Sequence, residues 1–211
     1  MSVRGDASQW SDILPDDLVP EIIGLVLNGW RAFEKPGRDD LEVPITKRFC
    51  CCLRRQKNRS RLPFRIEYES VELDVESEEQ SGRIDLKFCH GYREDVYFAF
   101  ECKRLNVVDR KGKRRPLAGE YVQEGMMRFV GGKYSQGLDK GGMLGYVMDG
   151  DVPAAIDAVG RNISRRGSDL SITNGGFKRS SVRPRDARVK ETHHSLTHRR
   201  LVLHHLFVAV G

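Results

Sequence analysis

The chain reads as an α/β protein, and three observations predict it. Apolar residues recur at helical spacing in two N-terminal segments. Two central segments alternate strictly between apolar and polar. Beyond them a helical pattern, a short apolar run, a second helical pattern and a final apolar run follow in turn. The 211 residues, 39% of them hydrophobic, suffice for one ordinary domain with a real core. No stretch nears the roughly 18 consecutive apolar residues that a membrane span requires. Residues 1–10 lack the basic-then-apolar pattern of a secretory leader. The expectation is a cytoplasmic protein with no membrane partner.

Taken in order, residues 1–19 are polar and read as a loose leading segment, apart from Trp10. From Pro20 to Phe33 the residues Ile22, Ile23, Val26, Leu27, Trp30 and Phe33 recur at helical spacing, and Lys35-Pro36-Gly37 ends the helix. A second helix is expected after Asp39-Asp40, which can cap it, with Pro44 tolerated in its first turn. Ile45, Phe49, Cys52 and Leu53 form its apolar stripe; Lys47, Arg48, Arg54, Arg55 and Lys57 form its polar side. Phe64 to Leu73 reads as a strand leading into an acidic turn that runs to Ser81. Arg83 to Cys89 and Val96 to Leu105 alternate cleanly as strands. A basic loop, Asp109 to Pro116, comes next, then a helix over Glu120 to Leu138 weakened by its glycines. Met143 to Met148 reads as a buried strand and Val152 to Arg165 as a helix. Residues 166–195 are rich in Gly, Ser and Arg and read as a long loop, and Leu201 to Val210 reads as a closing strand.

The chemistry sits on the two clean strands. If they form a hairpin about Arg93, paired positions sum to 186, so Asp85 faces Glu101 and Arg83 faces Lys103. Side chains alternate across a strand. One face then carries Ile84, Leu86, Phe88, Phe98, Phe100 and Cys102, all apolar. The other carries Asp85, Glu101 and Lys103. Two like charges directly opposite destabilise a sheet by something like 0.2–1 kcal/mol. A bound cation would reverse that sign, and hard oxygen ligands suit Mg²⁺ or Mn²⁺. Lys103, two residues after Glu101, shares its face and could hold a water or a phosphate oxygen.

Asp85 followed by Glu101-Cys102-Lys103 resembles the signature of the PD-(D/E)XK nuclease superfamily, and the surrounding order of helix, three strands, helix and strand is similar too. The resemblance covers about residues 40–150. It implies a central mixed β-sheet flanked by helices, the restriction-endonuclease-like core (αβββαβ), and metal-dependent hydrolysis of phosphodiester bonds. It also implies that Asp85, Glu101 and Lys103 are catalytic. Asp85, Glu101 and the Cys102 backbone carbonyl would bind Mg²⁺ or Mn²⁺, and Lys103 would assist the water. A further Glu before the motif is frequent in the family; Glu42 and Glu69 compete for that place. Here Ile84-Asp85 stands where the motif name has Pro-Asp. The resemblance favours DNA over RNA as substrate, and a role in defence against foreign DNA or in DNA repair.

The net charge of +6 leans toward a polyanionic partner. Acid is concentrated from Glu67 to Glu79, base in Lys103–Arg115 and Arg161–Arg200. Arg83, Lys111, Lys113, Arg114, Arg115, Gln123 and Arg128 are the candidate nucleic-acid contacts, against ordinary solvated residues. Glu124 is a further candidate on the helix that carries Tyr121, Lys133 and Tyr134. His193, His194, His198, His204 and His205 cluster near the C-terminus. His194 and His198 would share a face if helical, but no Glu or Cys completes a clear metal site, and His204 and His205 point to opposite faces of a strand. A structural or phosphate-contacting role is expected for them. Five cysteines, with no CxxC pair, read as small apolar residues in a reducing compartment, and only one or two of Cys50-Cys51-Cys52 can face the core. The chain has no GxSxG, GxxxxGK[ST] or HExxH. Nor does it show a helix-turn-helix or zinc finger to read bases. A homodimer, or a subunit of a larger defence or repair complex, fits a chain this small. The competing reading is a non-catalytic nucleic-acid-binding or assembly module.

Overall fold

A computed structural model of the chain describes residues 14–73, 80–91, 96–134 and 138–210, with the side chains at 72, 73, 80, 81 and 174 excepted. Trp10, the acidic turn at 74–79 and the hairpin tip around Arg93 lie outside the described residues. The helices are α1 (Leu18–Ala32), α2 (Glu42–Ser60), α3 (Ala118–Glu120), α4 (Met127–Val130) and α5 (Val152–Arg165), with a π-helical stretch at Tyr121–Met126 between α3 and α4. The strands are β1 (Phe64–Leu73), β2 (Gln80–His90), β3 (Tyr97–Leu105), β4 (Val107–Val108), β5 (Arg114–Arg115), β6 (Lys140–Val147), β7 (Ile172–Arg179), β8 (Val189–Ser195) and β9 (Arg200–Ala209).

Seven strands form one mixed sheet in the order β1-β2-β3-β6-β9-β8-β7. The middle three, β3, β6 and β9, are parallel, and an antiparallel pair flanks them on each side. Parallel neighbours need crossovers; here the α3–α4 region joins β3 to β6, while α5 with the β7–β8 hairpin joins β6 to β9. Helices cover both faces. On one, α1 and α2 pack Ile22, Val26, Trp30, Phe49 and Leu53 against Leu86, Phe88, Phe98, Phe100 and Leu144. On the other, the α3–α4 region and α5 pack Tyr121, Met126, Phe129 and Val159 against Tyr97, Ala99, Met143, Leu203 and Phe207. No described helix is long and apolar enough to cross a membrane.

Several expectations need correction. Leu18 and Val19 are buried in the first turns of α1 rather than belonging to a loose leader. Asp39 and Asp40 do not cap α2: Leu41 holds the cap position without a side-chain bond, while Asp40 ties back to the Gly37 amide and to Arg48. The helix expected to reach Leu138 stops at Val130, where Gly131 and Gly132 take over. Residues 166–195 are not a long loop, because they form β7 and β8. Their polar composition hid them: β8 buries Glu191, Thr192 and His194, which sequence reading expects outside. The basic loop is a tight hairpin, with β4 pairing β5 and the Asp109 carboxylate accepting from the amides of Lys111 and Lys113.

Candidate active site

β2 and β3 pair in the expected register, from Leu86↔Phe100 to Cys89↔Tyr97. The ladder ends there, one residue short of Asp85 and Glu101, so the expected facing of Arg83 with Lys103 does not form. On the other side of β2, the pairing with β1 passes from Tyr68↔Leu86 to Ser70↔Ile84 and skips Glu69 and Asp85. Glu69 there adopts a left-handed backbone, φ 48°. The strand is irregular at Asp85 on both edges, and the alternation slips. Ile84 joins the core beneath α5, whereas Leu86 joins the core beneath α1 and α2. The fully apolar face predicted from Ile84 onward therefore begins only at Leu86.

The irregularity makes the site. Where β3 parts from β2, the Cys102 amide donates to the Asp85 carboxylate at 2.7 Å instead of to a strand. Glu101, fully buried, points to the α4 side. Its carboxylate accepts from the Tyr134 hydroxyl and lies 3.3 Å from the Arg128 guanidinium. Gly125, in the π-helical stretch, packs against it: a Cβ there would collide with the Met143 methyl and come within 3.6 Å of the Glu101 Cγ. Such π-helical turns recur at functional sites.

Lys103 reaches across the same space. Its ammonium lies 2.8 Å from Glu101 Oε1, 3.1 Å from Glu42 Oε1 and 3.1 Å from the Cys102 carbonyl. Glu42, in the first turn of α2, also accepts from the Arg104 amide at 3.0 Å. Glu42 is therefore the acid that joins the motif. Glu69 pairs with Arg83 at 3.7 Å instead.

The electrostatics follow from burial beside like and unlike charges. Burial, and then the neighbouring Glu101 charge, push the Asp85 carboxyl up to about 7, against the pull of the Cys102 amide and Lys103. Burial alone would lower the Lys103 ammonium, but Glu101 and Glu42 beside it prevail and raise it. Burial and Glu101 likewise raise the Tyr134 hydroxyl, so it stays a donor. At neutral pH the site holds a permanent cation, a buried acid, and one carboxyl poised between its two forms.

The other predicted contacts scatter. Arg114 pairs with Asp149 at 2.8 Å and Asp151 at 3.5 Å, and Arg115 with Glu120 at 3.8 Å. Arg128 belongs to the site itself. Gln123 and Glu124 are exposed, and the Gln123 amide, turned so that its oxygen faces Arg166, would accept from that guanidinium. Lys111 and Lys113 are exposed, with no ion pair among the described residues. Tyr134 was the residue missed. It lies beyond the helix that should have carried it, so no spacing rule links it to Glu101.

Two of the C-terminal histidines, His194 and His205, sit in a buried hydrogen-bonded chain. His194 is in a strand, not on a helix with His198, and His204 and His205 do take opposite faces of β9. His194 Nδ1 bonds the Leu170 carbonyl at 2.8 Å, so its Nε2 accepts from the Thr192 hydroxyl, 2.8 Å away. Thr192 must then accept from His205 Nε2 at 2.9 Å, which leaves His205 Nδ1 to accept from Tyr121 at 3.0 Å. Of Cys50, Cys51 and Cys52, only Cys51 is exposed.

Among the described residues, no group of three or more His, Cys, Asp or Glu side chains is arranged to hold a metal ion. The donor chemistry at β3 nonetheless fits a hard divalent cation. Glu101, Asp85 and the Cys102 carbonyl offer oxygen alone, and Mg²⁺ commonly takes one or two carboxylates with water completing its shell. In this arrangement the Lys103 ammonium sits on two of those three donor groups. Compared with protein-family models, curated proteins and solved structures, the chain matches none of them.

Proposed function

We propose that the chain is a metal-dependent nuclease that hydrolyses phosphodiester bonds, with DNA as substrate and Asp85, Glu101 and Lys103 at its centre. One observation carries this reading. A break in pairing on both edges of β2 sets Asp85 beside the Cys102 amide, and there β3 brings the buried Glu101 and Lys103 to the same point. Such a break costs sheet pairing, and buried carboxylates cost desolvation; neither serves the core. The order α2, β1–β3, the α3–α4 region and β6 is the one expected from the resemblance to a restriction-endonuclease-like core, and supports the reading.

Asp85, Glu101 and the Cys102 carbonyl would hold Mg²⁺ or Mn²⁺, which when bound supplies positive charge to the phosphate and acidifies a water. The residues of the chain do the rest. Lys103 keeps its proton, so it acts as a donor: it orients a water or a phosphate oxygen and is no general base. Glu42 anchors that ammonium from α2. Tyr134 and Arg128 hold the Glu101 carboxylate in one orientation. Asp85, poised near neutrality, can take up or release a proton.

The test is cleavage of end-labelled duplex DNA, single-stranded DNA and RNA in Mg²⁺, in Mn²⁺ and in EDTA, beside Asp85→Ala and Lys103→Ala. Cutting that needs the metal and disappears in both variants is expected. Failure to cut any substrate, together with no Mn²⁺ binding that depends on Asp85 and Glu101 by calorimetry, would sink the reading in favour of a binding module.

A further inference from the structure

A cleft of about 530 Å³ opens between α1 and the loop joining β7 to β8. Arg31, Arg183, Arg185 and Arg188 line it, and Asp186 is the one acid among its lining residues. Asp186 is taken up by Arg188, whose guanidinium grips it at 2.9 and 2.6 Å. Arg31, Arg183 and Arg185 have no ion pair among the described residues, so the cleft carries an excess of positive charge.

The cleft is rigidly built. The Ser180 hydroxyl accepts from the amides of Val182 and Arg183, each at 3.2 Å, and Ser180 is buried. Ser181 is fastened to buried Glu191 through its amide and hydroxyl. Arg183 donates to the Pro20 carbonyl at 3.0 Å and lies flat on α1 at Gly24, where any Cβ would strike its guanidinium. A loop that only needed to be soluble has no use for a glycine-seated arginine on a helix.

Its position gives it meaning. Lys103 pairs with Gly145, Gly145 with Phe207, and the Phe207 amide with the Arg188 carbonyl. The Arg188 backbone thus stands on the same row of the sheet as the Lys103 backbone, three strand spacings or about 14 Å away, with the cleft on the α1 face. That is roughly four base-pair steps of one DNA strand, at about 3.4 Å each.

The geometry points to a second phosphate-binding site: the Arg31/Arg183/Arg185/Arg188 cleft holds the backbone of a polynucleotide a few residues from the cut. This rests on the nuclease reading for the identity of its occupant. Arginine forks match phosphate oxygens in geometry, and each phosphate neutralised steepens the salt dependence of binding by about 0.9 on duplex.

The test is fluorescence anisotropy of a labelled 30-residue duplex and the matching single strand, in EDTA so that nothing is cut, over a salt series. Wild type is compared with Arg31→Glu/Arg185→Glu and with Lys57→Glu/Arg59→Glu, an equal charge change at the far end of α2. Thermal melts verify that each variant folds. The cleft variant should weaken binding at least tenfold and flatten the salt slope by about two, with the control near wild type. Equal losses in both variants, no loss in the cleft variant, or no polynucleotide binding by wild type would each overturn the proposal. So would tighter cleft-dependent binding to phosphatidylserine vesicles or polyglutamate than to polynucleotide. The two readings separate cleanly. Cutting by wild type with an indifferent cleft variant removes the second site alone; cleft-dependent binding with neither cutting nor carboxylate-dependent Mn²⁺ binding removes the nuclease alone.

Discussion

Two polar networks are buried in this sheet, and they are built on opposite principles. At the β2–β3 end, Asp85, Glu101, Glu42, Lys103 and Arg128 crowd formal charges together, and one acid is driven up to about 7 because it cannot ionise cheaply. At the β8–β9 end, Tyr121, His205, Thr192, His194 and the Leu170 carbonyl form a chain in which every donor has one acceptor and every group is neutral. Burial holds both His194 and His205 below the ordinary histidine range. The second network is what a fold builds when it needs a polar core satisfied. The first is what it tolerates when the charges have a task. Substitutions should therefore separate them: at the first, activity and stability move independently; at the second, stability moves alone.

The largest effect is expected from Lys103→Met. Cutting should fall at least a thousandfold, and the chain should lose about 3 kcal/mol in urea unfolding at pH 8, since buried Glu101 keeps only Arg128 as a cation and half-buried Glu42 loses its ion pair. A variant that cuts as wild type does would remove Lys103 from the chemistry.

Thr192→Val should cost about 2 kcal/mol, because it strands His194 Nε2 and the His205 Nε2–H together, while cleavage per folded molecule stays unchanged. A large activity loss at intact stability would mean the neutral chain reaches the site through Tyr121.

Asp85→Asn should do the reverse, abolishing cutting while raising stability by about 2 kcal/mol at pH 8. Asp85 titrates near 7 in the folded chain against 3.8 unfolded, so the native state binds the extra proton between those values. Its contribution is favourable at low pH and is lost as pH rises through 7. The gain from Asn should therefore vanish at pH 4, and urea midpoints at the two pH values check it. Metal affinity should follow the same titration, rising as pH climbs to 7 and levelling above.

The smallest effect belongs to His204→Phe. Burial lowers this ring to about 4, and its Nδ1 is buried without a partner among the described residues. The unfolded chain takes up a proton near 6.5 that the folded chain refuses, so stability is present above 6.5 and drains away as pH falls toward 4. Phe should leave stability at pH 7.5 within about 1 kcal/mol and flatten the decline measured between pH 6.5 and 4.5.

The helices and central strands were legible because their cause is local. The stripe of Ile22, Val26 and Trp30, and the alternation through Phe98, Phe100 and Cys102, state which face meets the core. So was the register of the hairpin, since the pairing of Leu86 with Phe100 follows from matching two alternating runs. The motif acids were legible from spacing, and Glu42 as a named competitor to Glu69. What remained hidden was decided between distant segments. β7 and β8 are strands although their composition is that of a loop, because the edge of β9 pairs β8, β8 in turn pairs β7, and the polar side chains of β8 find buried partners. The slip at Asp85, which turns Ile84 to the other core, arises from an irregularity on β1 that β2's own sequence does not carry. Tyr134 meets Glu101, and Arg188 comes level with Lys103, only when strands far apart in the chain lie side by side. Periodicity is a property of neighbours in sequence, and it declared the elements. The company each charge keeps is a property of neighbours in space, and only the packed sheet decided that.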